Sequence, residues 1–423
     1  MFTPSRRVFL KRAALLASST AAQYILPNIA LAAITPAAVR RPLRMLVLGD
    51  SVMWGQGLLV DNKFSYRVGR WLCEWRNNGI CNDNEDVEVH VEAHSGAIIE
   101  EEKSRDQEER RFTRNDAPVR YDGEVNYAYP TLWGQLELAK RHYTNKSIPL
   151  QEIDLIILNG GINDMSATRV FVYKIFGGDL KKKADKYCGE EMERLLGKVA
   201  DTFPTARIVV PGYFPFISNE TEPSVVIQTL KYLLPGNKDE KQFADKLMER
   251  MLDQQPSEAA NSTEARANII LRGLARRSDE WVRVSNEALA RAVRKFNEKR
   301  TSLPPANNGS SPPPEASLRA HFAPVIFEAK NAYGASDSFV WQLTRRDKEI
   351  ECVDWGLLQN VIAGDQLQTR RPCLCDQAGK RNDIACVRAG TFHPNTKGAD
   401  AYYKAIKSKL EPIVEFTGWK PAT

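Results

Sequence analysis

The chain has 423 residues, 43% of them hydrophobic and 26% charged, with a mean hydropathy of −0.42. That length allows one large domain with insertions or two ordinary ones, and the composition excludes a disordered, collagen-like or multi-span membrane protein. A formal charge of +6 raises the question of a nucleic-acid or anionic-surface partner, and the answer depends on where the charge lies. Four of the 59 basic residues, Arg6, Arg7, Lys11 and Arg12, precede residue 33, and none of the 53 acidic residues does. The rest of the chain is nearly neutral, so no electrostatic argument for nucleic acid remains.

At the start of the chain, Ser5-Arg6-Arg7-Val8-Phe9-Leu10-Lys11 leads into a moderately apolar stretch, Ala13 to Ala33, interrupted by Ser18, Ser19, Thr20, Gln23 and Asn28. This resembles a twin-arginine signal peptide. The small residues of Ala30-Leu31-Ala32 suit a signal peptidase, so residues 1–32 are expected to be a cleaved leader. The resemblance implies the twin-arginine export machinery as a partner, a periplasmic or secreted product, and no stable membrane anchor after cleavage. Ala13–Ala33 is just long enough to span a bilayer, but its polar interruptions argue against an uncleaved anchor.

Twin-arginine export often goes with a cofactor loaded before export, yet the chain has no GxGxxG after a strand, no P-loop, no HExxH and no CxxC. The five histidines are scattered, and neither metal nor cofactor is expected. All seven cysteines lie beyond the leader, where an oxidising compartment favours disulfides. Cys73 and Cys81 flank a short turn and suit a local bridge. Four more, Cys352, Cys373, Cys375 and Cys386, suggest two bridges of undetermined pairing, and Cys188 is the natural one left over.

Buried strands are expected at Leu43–Leu48, Val87–Val91, Leu155–Leu158 and Ile208–Val210, with helical pattern at Tyr66–Trp75, Leu132–His142 and Glu190–Ala200. Long connections between the strands imply a parallel sheet covered by helices on both faces. The 216–276 region is expected to be a charged insertion, with helices around Lys241–Leu252 and Glu264–Arg276 presenting mainly solvated faces. Ser278 is then expected to cap a separate helix whose Trp281, Ala288, Leu289, Ala292, Val293 and Phe296 pack on the sheet. Residues 302–317, rich in Pro, Gly and Ser, read as a mobile connector, and Ala323–Phe327 as a returning strand. The length is thus accounted for by one domain, 33–423, without a second fold.

The chemistry lies in four short blocks. Strand one runs into Gly49-Asp50-Ser51-Val52-Met53-Trp54-Gly55, placing Ser51 where open α/β sheets bind ligands. Strand two is followed by His94-Ser95-Gly96-Ala97, strand three by Gly160-Gly161-Ile162-Asn163-Asp164, and Phe392-His393-Pro394-Asn395 stands near the C-terminus. Together the blocks resemble the SGNH, or GDSL, hydrolase superfamily, with Ser51, Gly96, Asn163 and His393 matching its four blocks in order. Pro130-Thr131 through Gln135-Leu136, Val210 through Pro215 and Ser285 through Leu289 extend the resemblance toward the secreted lipase/esterase branch.

The resemblance implies a flavodoxin-like three-layer α/β/α sandwich with a mostly parallel five-stranded sheet. It also implies an enzyme acting on ester bonds: a carboxylesterase, lipase or acetylesterase on a small-molecule or polymer ester. Ser51 would attack the carbonyl as His393 takes its proton. The oxyanion would be held by the N–H groups of Ser51 and Gly96 and the side-chain amide of Asn163. Asp50 and Asp164 read as loop-bonding residues, and Trp54 as a possible pocket wall.

One position departs from the family pattern: Gly390 stands where the family usually has an Asp that orients the imidazole. Three possibilities stay open: a Ser–His dyad with the imidazole donating to a backbone carbonyl, a substitute acid such as Asp383, and a non-catalytic carbohydrate- or lipid-binding module. The dyad ranks first. The charged character of 216–276 leans the substrate toward a short acyl ester or a polar polymer.

Overall fold

The computed structural model describes residues 41–81, 86–99, 123–125, 131–165, 180–225, 263–300, 317–342, 367, 370–377, 386, 389–415 and 419. The expected leader, the expected helix at 241–252, residues 302–316 of the expected connector and Asp383 lie outside the described residues.

Five strands form one parallel sheet: β1 (Leu43–Gly49), β2 (Val87–Val91), β3 (Leu155–Asn159), β4 (Arg207–Pro211) and β5 (Ala320–Ala323), in the order β2-β1-β3-β4-β5. β1 and β3 are buried at every position, which is why they read as continuous apolar runs rather than alternating ones. Helices α2 (Phe64–Arg76) and α8 (Thr396–Val414) pack against each other on one face. On the other face lie α3 (Leu132–Asn145), α5 (Met192–Thr202) and α6 (Thr263–Lys299). The result is the three-layer α/β/α arrangement expected from the sequence. Among the described residues no helix is long and apolar enough to cross a membrane.

The strand order matters for the site. The chain leaves β1 toward β2 on one side and enters β3 on the other, so the ends of β1 and β3 form the crevice where such sheets bind ligands. Gly49 and Asn159 are register partners at that crevice. Ser51 follows one strand by two residues, and the Gly160–Asp164 loop follows the other.

Three expectations are corrected. The returning strand is Ala320–Ala323 rather than Ala323–Phe327. Its ladder ends at Ala323, whose carbonyl accepts the Gly212 N–H at 2.8 Å, because the next residue, Pro324, has no N–H to continue the pairing. Ser278 caps no helix: it lies inside α6, which runs unbroken from Thr263 to Lys299. The buried Ser278 Oγ instead accepts the N–H groups of Phe216 and Ile217, at 2.8 and 3.1 Å, closing the turn that follows β4. The first half of α6 is also less solvated than its charge suggests, since Ile269, Ile270, Leu271 and Leu274 are all buried.

Between α4 (Leu180–Ala184) and α5 the helix widens into a π segment, Asp185–Glu191. It places the buried, free Cys188 beneath the loop after β3. Gly161 has φ +115, and a Cβ there would come within 2.7 Å of Cys188 Sγ, so this position admits no side chain. Cys73–Cys81 and Cys375–Cys386 are disulfides, Cys375 lying on the short helix α7 (Arg371–Gln377), and Cys373 is disulfide-bonded as well.

Candidate active site

The site starts with a clamp on backbone. Gln135, buried on α3, accepts the Gly49 N–H at 2.7 Å and donates to the Gly49 carbonyl at 2.8 Å. Both polar groups at the end of β1 thereby bond to one side chain, and the carbonyl also accepts the His94 N–H at 3.0 Å, so neither is left unpaired in the core. Gly49 itself has φ +143, and a Cβ there would fall 2.5 Å from the Asn159 carbonyl oxygen, so only glycine lets β1 and β3 approach this closely.

Asp50 then caps the short helix α1 (Ser51–Trp54), accepting the Val52 N–H at 2.9 Å. Its other oxygen accepts the hydroxyl of Tyr213, from the loop after β4, at 3.0 Å. Tyr213 in turn accepts the Ile162 N–H at 3.3 Å. Full burial raises the Asp50 pKa to about 6, with the hydrogen bonds from Val52 and Tyr213 opposing that rise. Asp50 is therefore a structural pin beside the serine, holding the first, third and fourth strand-end loops together.

Ser51 lies at the N-terminus of α1, and its Oγ is 2.6 Å from His393 Nε2 although the two residues are 342 apart in sequence. His393 Nδ1 is 3.1 Å from the Thr391 carbonyl oxygen. A carbonyl can only accept, so Nδ1 carries the proton, and in the neutral ring Nε2 is left to accept from Ser51. This is the orientation in which an imidazole can accept a hydroxyl proton. Gly390, at the position where the resemblance implies an acid, contributes its carbonyl to the His393 N–H at 3.1 Å.

The histidine loop is anchored on both sides. Phe392 N–H donates to the Trp341 carbonyl and Trp341 N–H to the His393 carbonyl, at 3.1 and 2.8 Å. Val340 and Pro394 form an antiparallel bridge. Asn395 caps α8 through Lys397 and Gly398 while donating to the Ser338 carbonyl at 2.8 Å. Phe392 adopts φ +66, an unfavourable conformation for an aromatic residue that persists only where the surroundings hold it. Its ring sits 4.3 Å from that of Tyr333 and edge-on to Phe216.

The loop after β3 bonds to the segment after β2. Asn163 Nδ2 donates to the Ala97 carbonyl at 2.9 Å, and both Asp164 oxygens accept the Ile99 N–H, at 2.9 and 3.0 Å. The loop after β3 is thus fastened to the segment that carries Gly96, which has φ +79. One N–H of the Asn163 amide remains to donate. Among the described residues, neither the Ser51 N–H nor the Gly96 N–H has a hydrogen-bond acceptor.

Trp54 is packed rather than open. Its indole N–H donates to Glu124 at 3.0 Å, Lys63 Nζ lies 3.4 Å from the ring centroid, and a Cβ on Gly123 would come within 2.5 Å of the ring. Glu124, Arg371 and Thr391 carry no motif and were not legible in sequence. Tyr213 and Gln135 stood within motif segments, but nothing in those segments indicated their partners.

No family model matches the chain, and no curated protein matches it. Among solved structures, it is similar to an extracellular lipase from Streptomyces rimosus at 12% identity, covering 87% of this chain and 99% of the other with a TM-score of 0.36. Phospholipase A1 from Streptomyces albidoflavus is similar over the same shares of both chains at 12% identity, with a TM-score of 0.35. A lipase from a goat rumen metagenome also shares 12% identity over 87% of this chain and 97% of its own, with a TM-score of 0.37. At this level of likeness no residue's role passes from those proteins to this chain.

Proposed function

We propose that the chain is an exported serine ester hydrolase of SGNH type, acting through a Ser51 acyl-enzyme. The observation that carries this reading is the 2.6 Å contact between Ser51 Oγ and His393 Nε2, on a ring whose Nδ1 faces the Thr391 carbonyl. His393 takes the serine proton as Oγ attacks the ester carbonyl, then returns it to the departing alcohol, and a water activated by the same ring releases the acid. The oxyanion is held by the N–H groups of Ser51 and Gly96 and the free half of the Asn163 amide. These donors are fixed before the reaction begins and need no reorganisation as charge develops.

In this reading the enzyme works as a Ser–His dyad, with Thr391 in place of an orienting acid. Residues 1–32 are a twin-arginine leader, and 33–423 form one hydrolase domain carrying a charged insertion at 216–276 and a Pro-rich connector at 302–317. The disulfides Cys73–Cys81 and Cys375–Cys386 support maturation in an oxidising compartment.

The test is a chain-length series of p-nitrophenyl esters, with acetylated sugars added, run on wild type and Ser51→Ala, together with fluorophosphonate labelling. Turnover and labelling are expected in the wild type and lost in Ser51→Ala. Absence of Ser51-dependent turnover on every ester overturns the reading.

A further inference from the structure

Glu124 belongs to no motif, yet the segment just past the nucleophile hangs on it. Its carboxylate is 0% exposed and pairs with Arg371, 1% exposed, through Arg371 Nη2 and Nε at 2.6 and 3.0 Å. Three donors that follow Ser51 in sequence converge on the same carboxylate. Trp54 Nε1 reaches Oε2 at 3.0 Å, while Gln56 Nε2 and the Gly57 N–H reach Oε1 at 3.1 and 2.9 Å. Gln56 also donates to the Glu124 carbonyl at 2.7 Å.

The residues on either side extend the reach of this node. The Gly123 carbonyl accepts the Ser95 N–H at 2.9 Å, one residue before Gly96. Val125 packs with Cys375 and Cys386, the disulfide that precedes the histidine loop. From Gln56 the connection continues: its carbonyl accepts the Trp341 indole N–H at 3.3 Å, and the Trp341 backbone bonds to Phe392 and His393. Glu124 therefore connects directly to the segment bearing Ser51, through the adjoining Gly123 carbonyl to the segment bearing Gly96, and through Gln56 and then Trp341 to the loop bearing His393.

A buried ion pair is seldom more stabilising than apolar residues of the same volume, because desolvation offsets its attraction. Its particular use here is that an ionised carboxylate can accept from Arg371, Trp54, Gln56 and Gly57 at once, which no neutral side chain does. We propose that Glu124 is a positioning residue for ester hydrolysis, with Arg371 holding it so that the nucleophile turn, the Gly96 donor and the His393 loop keep one relative geometry. This inference rests on the hydrolase reading. A displacement of about 1 Å among such groups is enough to cost about 100-fold in rate.

The experiment compares wild type, Glu124→Gln and the double variant Glu124→Gln/Arg371→Met. Folded sites are counted by stoichiometric fluorophosphonate labelling of Ser51, so that kcat is expressed per site and loss of folded protein does not register as loss of rate. Glu124→Gln is expected to lower kcat per site about 100-fold with little change in KM. The double variant removes the cation that faced the lost carboxylate and is expected to regain melting temperature without regaining kcat, because the amide accepts through one oxygen only and cannot serve Trp54 on one side and Gln56 and Gly57 on the other. The double variant carries the test alone if the single one does not fold. The proposal is overturned by a kcat per site within about twofold of wild type in either variant. A wild type with neither Ser51-dependent turnover nor labelling defeats the hydrolase reading instead, which is a different result.

Discussion

The Tyr213 hydroxyl donates to the Asp50 carboxylate at 3.0 Å while accepting the Ile162 N–H at 3.3 Å, so one phenol joins the loop after β4 to the two loops that flank the crevice. All three groups are buried, and each depends on the others for hydrogen bonding. Tyr213→Phe keeps the ring and its contact with Trp281 but leaves a buried carboxylate oxygen and a buried N–H unpaired. It is expected to lower stability by about 2–3 kcal/mol in urea unfolding. An effect below about 0.5 kcal/mol would mean that the hydroxyl pins nothing.

Asp50 adds a pH dependence of definite sign. Its folded pKa is raised to about 6, so between the ordinary aspartate value and about 6 the folded state binds more protons than the unfolded one. Its contribution to stability is then fully present at low pH and is lost as pH rises through that window. The loss amounts to about 3 kcal/mol across the window. Asp50→Asn has no such titration. Plotted against pH, the unfolding free energy of wild type minus that of Asp50→Asn is expected to fall between about pH 4 and 6 and then level off. A flat difference would show that Asp50 is not held in the protonation-favouring environment described.

What sequence made legible and what it did not divide along physical lines. β1, β3 and β4 were readable because strands buried on both faces are continuous apolar runs. β5 was displaced because Ala320-His321-Phe322-Ala323 is an edge strand of mixed character, whereas the following Val325-Ile326-Phe327 looks more like a strand and cannot pair past Pro324. Ser278 looked like a cap because serine favours that role; its hydroxyl is used by another segment, and only tertiary packing reveals this. Ser51, Gly96, Asn163 and His393 each follow a recognisable pattern. Glu124 and Arg371 do not: they lie 247 residues apart, in stretches without periodicity, and their partnership exists only in the folded chain.

The Gln135 clamp on Gly49 is testable in the same terms. Gln135→Leu preserves the volume at this buried position but strips both the N–H and the carbonyl of Gly49 of their side-chain partners. The carbonyl keeps the His94 N–H at 3.0 Å, so the one orphaned backbone N–H is expected to cost about 1–3 kcal/mol. Gly49 directly precedes Asp50 and Ser51, so the rate of fluorophosphonate labelling is expected to fall as well, under conditions where the variant is still folded. Unchanged labelling alongside reduced stability would separate the clamp from the geometry of the nucleophile.

The partner of His393 Nδ1 decides how the imidazole is oriented. Its contact with the Thr391 carbonyl at 3.1 Å selects the tautomer in which Nε2 accepts from Ser51. If this backbone oxygen is the orienting group, removing the carboxylate of Asp383 changes little. Asp383→Ala is expected to keep kcat/KM within about threefold of wild type, whereas His393→Ala removes the base and lowers it by about 1,000-fold or more. The comparison is made on one short p-nitrophenyl ester, with both variants checked for folding by circular dichroism. A drop for Asp383→Ala comparable to that for His393→Ala would replace the dyad with a triad. A backbone carbonyl cannot take up a proton or a full countercharge, so the imidazolium formed in the transition state is stabilised less than beside a carboxylate. Most of the stabilisation must then come from the oxyanion donors. Asn163→Ala is accordingly expected to cost about 100–1,000-fold in kcat, and a loss of less than about tenfold would show that the oxyanion is held elsewhere.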